Sequence, residues 1–473
     1  MTTLANSIRG AAASSDRNFA ETLGQLAIIA LICLSVTTPG IYFSEDLPWM
    51  KAEQLLLPIV VAVYVLLALG GYLRTIRFNL MMAAGVAFSV SMLLSMWYGS
   101  AVLGHPLLLR DFYEIPKLWY PVVFFSLAYE ADLSEAALRR VFAWFCIAMM
   151  LVCLYAWAQW FGLGLSFKLN PYFTGGEHID GGLFRYRRVY STMGNPNVLG
   201  QLLTWAIVAF LMAAIARIGR RTVYLGAALV CSITLAMTGS RYGLMTLLVG
   251  IFLIVVMSST SRRRSIQLVA AILLLPLFYW TFSVIATSDR YSTERYGSLS
   301  NPLQMDSLRE RLDVLWRDAE EDIARSPLFG HGPAKSAYTG VITDSEYLDV
   351  LKEFGIIGFL PYLAYYLIPA IMIWRGLRER SSSRDILDVW FPASTITAHL
   401  ALVMIITALI MNIGEDTFHN QELQGLLWIW LGLGARASLS LAAASKRITA
   451  VSRSRPILAT AHRGNAGEFA AQS

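Results

Sequence analysis

The sequence predicts an all-α, polytopic integral membrane protein of about 12 transmembrane helices, with one long outer loop that contains an amphipathic helix. Three observations carry this. Of the 473 residues, 56% are hydrophobic, and the mean hydropathy is +0.54. Only 15% are Asp, Glu, Lys or Arg, against about 25% in ordinary soluble domains. Apolar runs of about 20 residues, each long enough to cross a bilayer, recur along the whole chain. That composition excludes a soluble enzyme, a fibrous protein and a disordered chain. An outer-membrane barrel would alternate apolar and polar residues in segments of about 10, and the run 54–73 does not alternate.

In chain order the spans fall at 22–38, 54–73, 80–98, 115–130, 141–162, 196–216, 222–238, 242–260, 266–286, 346–374, 389–411 and 421–438. Residues 1–20 are polar and mixed, so the first span is expected to stay as an anchor rather than to be cleaved. Basic residues set the orientation, because short inner loops collect them. With the N-terminus inside, the inner loops hold Arg74 and Arg77, Arg139 and Arg140, Arg217, Arg220 and Arg221, Arg262 to Arg264, and Arg375, Arg378, Arg380 and Arg384. The segment 1–21 and an Ala/Ser/Arg-rich tail, 439–473, then lie inside, the tail expected to be disordered. The loops at about 99–114, 163–195 and 287–345 lie outside. Cys33, Cys146, Cys153 and Cys231 sit within apolar spans without CxxC spacing and read as small buried hydrophobes.

Four constellations stand on the outer face. In Arg188-Val-Tyr-Ser-Thr-Met-Gly-Asn-Pro-Asn197, Asn195 suits an N-cap and Pro196 a first helical turn. A span therefore begins there with its positive dipole end outward, beside guanidinium groups, which is an arrangement suited to an anion. In Thr238-Gly239-Ser240-Arg241, Ser240 can cap the next span. Arg241 then stands in a first helical turn, where its charge opposes the dipole unless an anion lies between them. In the long loop, Leu308, Leu312, Leu315, Trp316, Ala319 and Ile323 recur at helical spacing, with Arg311 at the edge of that stripe. This predicts an amphipathic helix on the outer leaflet, with Arg311 within reach of a lipid phosphate. Gly330-His331-Gly332-Pro333 then reads as a turn and His331 as structural. The fourth constellation is Thr343-Asp344-Ser345-Glu346. It spells a capping box, and it also offers a general base at the membrane face. Glu415, Asp416 and His419, in the last outer turn, read as ordinary hairpin polarity. There is no HExxH, CxxC, Walker loop or dinucleotide fingerprint, so no metal, cofactor or nucleic-acid partner is expected.

With these residues in hand, the chain resembles the bacterial O-antigen ligase and polysaccharide polymerase superfamily. The resemblance runs over roughly 100–375 and rests on Arg188 to Asn197, on Thr238 to Arg241, on Arg311 to Gly332 and on Tyr347 to Gly358. It implies a GT-C-like membrane fold over 22–438 and a metal-independent glycosyltransferase at the periplasmic face of the bacterial inner membrane. The donor it implies is a glycan on undecaprenyl pyrophosphate. Arg188, Arg241 and Arg311 match the arginines expected to hold the pyrophosphate, and Lys117 matches a basic residue before the fourth span. Ligases of this superfamily usually carry His-Asn where this chain has Asp344-Ser345, which favours a polymerase of O-antigen or exopolysaccharide. The expected catalytic residues are thus Arg188, Arg241 and Arg311, with Asp344 as base and Glu346 second. Lys117, Arg187, Asn195, Asn197, Ser240 and Tyr347 are the expected substrate-binding residues. Lipid-linked donor and acceptor, membrane lipids, a chain-length regulator and a flippase are the expected partners. The alternatives are a ligase that passes the glycan to lipid A core and, in another class, a lipid-linked oligosaccharide transporter. A transporter fits less well, because the charges crowd at one face and no inverted repeat is visible.

Overall fold

The computed structural model describes residues 21–38, 40–41, 50–69, 79–174, 188–257, 311–333, 343–380, 392–415 and 423–453. The expected span 266–286, Leu308, Arg187, Asp416 and His419 lie outside the described residues. The architecture is α-helical. Helices α1 (Glu21–Thr37), α2 (Ala52–Leu69), α3 (Leu80–Ala101), α4 (Leu109–Glu130) and α5 (Glu135–Trp160) come first. A short α6 (Gly164–Thr174) precedes α7 (Pro196–Ala216), α8 (Arg221–Thr238) and α9 (Arg241–Met257). After a wide turn at Arg311–Leu315 come α10 (Trp316–Arg325), α11 (Glu346–Glu379), α12 (Pro392–Met411) and α13 (Gln424–Arg453). Between α1 and α2 a two-residue antiparallel ladder pairs β1 (Gly40–Ile41) with β2 (Met50–Lys51).

Seven of these helices are long and apolar enough to cross a membrane, and α1, α2 and α9 are shorter apolar helices. Eleven of the expected spans therefore fall on described helices. α4 is less apolar because its first half carries Arg110, Asp111, Glu114 and Lys117. It starts earlier than expected, since the Asp111 carboxylate caps its N-terminus by accepting from Leu108 N at 3.0 Å.

α7 is the central helix, buried along most of its length. α8, α9 and α12 pack around it, and α13 fills the space between α4, α11 and α12. Polar side chains inside the bundle find partners, as a low-dielectric interior requires. Thr407 of α12 accepts from Trp205 Nε1 of α7 at 2.9 Å, and Tyr365 of α11 donates to Leu118 O of α4 at 2.8 Å.

Two expectations are corrected. The tail does not become irregular at 439. α13 continues to Arg453 because Ser438, Leu441, Ala442 and Ser445 recur at helical spacing on one buried face. The span from 346 is not one straight helix either. Gly355 (φ 61°, ψ −168°) breaks it, and the segment before α11 fills the break. Ile356 N donates to Pro327 O at 3.0 Å, and Ile357 N to Leu328 O at 3.3 Å. In return His331 N donates to Lys352 O and Gly332 N to Glu353 O, each at 2.9 Å. A broken helix at membrane depth is tolerable only where its freed backbone groups are paired in this way. A Cβ on Gly355 would stand 2.2 Å from Leu328 O, so the break requires glycine.

Candidate active site

One end of the bundle gathers the starts of α7, α9 and α11, the end of α12 and the turn at Arg311. Each start has a local cause. Asn195 Oδ1 accepts from Asn197 N at 2.7 Å and Pro196 opens α7, both suited to a first turn. Gly239 (φ 62°) ends α8, and Ser240 Oγ accepts from Gly243 N at 3.1 Å to cap α9. Gly200 and Gly243 let α7 and α9 approach closely, for a Cβ on Gly243 would lie 3.0 Å from Gly200 Cα. Two helix N-termini, with their partial positive charge, are thereby held side by side.

The candidate side chains form one connected network. Arg188 Nε donates to Thr238 O at 2.8 Å, and its NH2 donates to Asn197 Oδ1 at 2.9 Å. Asn197 in turn donates from Nδ2 to Glu415 Oε1. The same oxygen lies 3.7 Å from Arg311 NH2. Arg311 then donates to Asp344 Oδ2 from Nε at 3.0 Å, with NH2 of the same fork 2.9 Å away, and from NH1 to the Tyr242 hydroxyl at 3.2 Å. Its guanidinium carbon sits 5.4 Å from the centre of the Tyr242 ring, a cation–π contact. The network thus links α7, the α8–α9 turn, the Arg311 turn, the entry to α11 and the turn after α12.

Burial tunes these charges. Glu415 is 9% exposed. Burial pushes its carboxyl up to about 7; Arg311, Asn197 and Arg188 pull it down, and Asp344 pushes it up. Arg311 stays charged and is held above its ordinary value. Burial works against the charge, but the Tyr242 hydroxyl, Asp344 and Glu415 outweigh it.

The expected site residues are placed as follows. Arg188, Asn197, Arg311 and Asp344 come together in the network. Arg241 is the first residue of α9, three positions after the carbonyl that Arg188 grips, so both arginines stand at the same end of the bundle. Asn195 and Ser240 serve as caps, and Ser240 is fully buried. Glu346 is also fully buried, with its N–H donating to Asn412 O at 3.1 Å. Tyr347 donates to Leu409 O at 2.7 Å and packs edge-on against Phe359 and Tyr362, which ties α11 to α12. Lys117 pairs with Glu114 at 2.5 Å within α4. α10 carries the expected apolar stripe only in part. Its Ala319 is buried and it packs on α11, whereas Leu312, in the turn before it, is 48% exposed.

Sequence reasoning undervalued Glu415 and overlooked Tyr242. Glu415 was expected to be hairpin polarity, and it stands instead between Asn197 and Arg311. The available signal was an acid in a short turn at the same face as unpaired-looking arginines. Among the described residues, no group of three or more His, Cys, Asp or Glu side chains is placed to hold a metal ion.

Comparison with known proteins adds one finding. Residues 225–363 match a protein-family model described as O-antigen ligase. The matched stretch runs from α8 to the middle of α11 and contains Arg241, Tyr242, Arg311, Asp344, Glu346 and Tyr347, while Arg188, Asn197 and Glu415 lie outside it. No curated protein matches the chain.

Proposed function

We propose, from the match of residues 225–363 to the O-antigen ligase family model and from the site's geometry, that this membrane protein is an enzyme that polymerises glycan repeats carried on undecaprenyl pyrophosphate at the periplasmic face of the inner membrane. One observation carries the reading. Arg311 directly, and Arg188 through Asn197, reach a single carboxylate, Glu415, at the end of the bundle where α7 and α9 begin. Two guanidinium groups and two helix N-termini, oriented before substrate arrives, are suited to a diphosphate that gains charge as the sugar leaves. Arg241, in the first turn of α9, adds a third cation there. The guanidinium fork can meet diphosphate oxygens in pairs, which an ammonium cannot.

The donor in this reading is a growing chain on its lipid pyrophosphate. The acceptor is the non-reducing-end hydroxyl of the next lipid-linked repeat, activated by a carboxylate beside Arg311. Asp344 is the residue that the sequence suggests for that task. The lipid tails lie among the apolar helices and the glycans outside. Asp344-Ser345, where ligases carry His-Asn, supports a polymerase over a ligase.

The test is to incubate purified protein with one defined lipid-linked repeat and to size the product. A ladder of lipid-linked oligomers is expected. Transfer only to an added lipid A core acceptor would instead establish a ligase. Movement of the lipid-linked glycan across vesicles without a new glycosidic bond would refute both enzymatic readings.

A further inference from the structure

Glu415 is placed as a proton acceptor rather than as a structural anion. Its Oε1 is occupied by Asn197 Nδ2 and faces Arg311 NH2 at 3.7 Å. Its Oε2 has no hydrogen-bond partner among the described residues. Asp344 differs on each count. A single oxygen of Asp344 lies within 3.0 Å of two guanidinium nitrogens of Arg311, and its side chain is 45% exposed against 11% for Glu415. Asp344 is thus committed to the Arg311 fork and open to water. Glu415, buried and with one oxygen unengaged, is the better placed of the two to accept a proton.

We propose that Glu415 takes the proton of the acceptor hydroxyl during glycosyl transfer. This inference rests on the reading of the site given above. The acceptor O–H donates to Glu415 Oε2 and its proton moves to that oxygen as the acceptor oxygen bonds to the anomeric carbon of the donor sugar. The bond from that carbon to the diphosphate oxygen breaks, and its electron pair leaves with the lipid diphosphate. The diphosphate gains one negative charge, which faces Arg188 and Arg311. Protonated Glu415 then returns its proton to water, and the residue is reset.

The surroundings suit the role. Burial pushes the Glu415 carboxyl up to about 7, within the range in which a base is both ionised and strong at neutral pH. The groups that face it are Arg311 from the turn before α10, Asp344 from the entry to α11, and Arg188 and Asn197 from the start of α7. Tyr242 of α9 borders the same turn, since a Cβ on the neighbouring Gly414 would meet its hydroxyl. A diphosphate docking on the two arginines would weaken their hold on the carboxylate and raise its proton affinity at the moment it is needed.

The experiment is single-turnover transfer between lipid-linked repeats by full-length protein, comparing wild type, Glu415→Gln, Glu415→Asp and Asp344→Asn across pH 5–9. Undecaprenyl diphosphate binding is measured in parallel as proof of a folded site. Glu415→Gln replaces the carboxylate oxygen that accepts from Asn197 with an amide oxygen that can accept in the same way. It should bind the lipid diphosphate at least as tightly as wild type, transfer about 100- to 10,000-fold more slowly, and lose the rise in rate with an apparent pKa near 7 that wild type is expected to show. Glu415→Asp should retain that rise at a reduced rate. Asp344→Asn should transfer more slowly with the rise intact. A Glu415→Gln protein with the wild-type rate and pH profile overturns the assignment, as does loss of the rise in Asp344→Asn alone. Wild-type protein that forms no glycosidic bond overturns the reading of the site itself, and the assignment with it.

Discussion

Arg311 is the most informative single residue to change, because its guanidinium touches three partners from three different elements. Nε and NH2 reach Asp344 Oδ2 at 3.0 and 2.9 Å, NH1 reaches the Tyr242 hydroxyl at 3.2 Å, and NH2 lies 3.7 Å from Glu415 Oε1. Arg311→Lys keeps the charge and loses the fork. A hydrogen bond to a charged group contributes about 1.5–3 kcal/mol, and an ammonium on a shorter reach gives up at least one. Asp344 is 45% exposed, so water replaces much of its loss. The expected destabilisation is therefore only about 1–2 kcal/mol. The loss in rate should be larger, about 100-fold, because a preorganised donor is displaced from where, in the proposed reaction, diphosphate charge develops. Arg311→Ala removes the charge as well, and the rate should fall by about 1000-fold. It also leaves Asp344 and Glu415 facing each other without the shared cation, so the pH limb assigned to Glu415 should move upward. The assay is oligomer formation from a defined lipid-linked repeat, with thermal unfolding in detergent as the stability control. Folded Arg311→Ala protein that elongates glycan at the wild-type rate would refute the grip on diphosphate.

Other changes test the supporting geometry. Gly414→Ala would drive a methyl group into the Tyr242 hydroxyl, 1.8 Å from the ideal Cβ position. It should lower the transfer rate about tenfold to 100-fold while shifting the unfolding temperature little, because a side chain rather than backbone must yield. Gly355→Ala places a side chain at φ 61° and 2.2 Å from Leu328 O. Strain at such a position costs about 1–3 kcal/mol before the clash is added, and thermal unfolding should report a loss at least that large. Gly243→Val should wedge α7 from α9 and part their N-termini, with weakened lipid diphosphate binding as the readout. Stability should also depend on pH through Glu415. Its carboxyl is raised from an ordinary 4.5 to about 7, so between those values the folded state binds more protons than the unfolded chain. Stability then falls as pH rises through that window, by at most about 3 kcal/mol. Glu415→Gln should flatten this slope, and an unchanged slope in that variant would contradict the assigned burial.

What could be read from the sequence follows the range of the forces involved. Apolar length is a local signal, and it located α1 to α5, α7 to α9 and α11 to α13 within a few residues at most ends. Caps are local as well, so Asn195-Pro196 and Ser240 marked the starts of α7 and α9 correctly. The break at Gly355 was invisible because Glu353-Phe-Gly-Ile-Ile runs smoothly into an apolar helix. The cause lies some 25 residues earlier in the chain, in the Pro327–Gly332 segment that supplies the replacement hydrogen bonds. The extension of α13 was hidden for a related reason, since an Ala/Ser-rich stretch gains its helix from packing rather than from hydrophobicity. Glu415 was the costliest omission. Nothing in an Ile-Gly-Glu-Asp turn tells which arginine it will meet, and its value comes from Asn197 and Arg311, residues far away in the chain.

The proposed function also accounts for two carboxylates standing in a site assigned to a diphosphate. Arg188 and Arg311, held near each other and near two helix N-termini without counter-charge, would repel one another in a poorly solvated turn region. Glu415 and Asp344 balance them. The long 3.7 Å contact between Arg311 and Glu415 is the weak link of the set, so an incoming diphosphate can replace it at small cost. In the proposed reaction, replacement frees the carboxylate beside new negative charge and makes it a stronger base. Binding of the donor and activation of the acceptor are then one electrostatic event. In this proposal Glu415 is a weaker base before the donor docks than after it, so activation of the acceptor is greatest when the donor is in place.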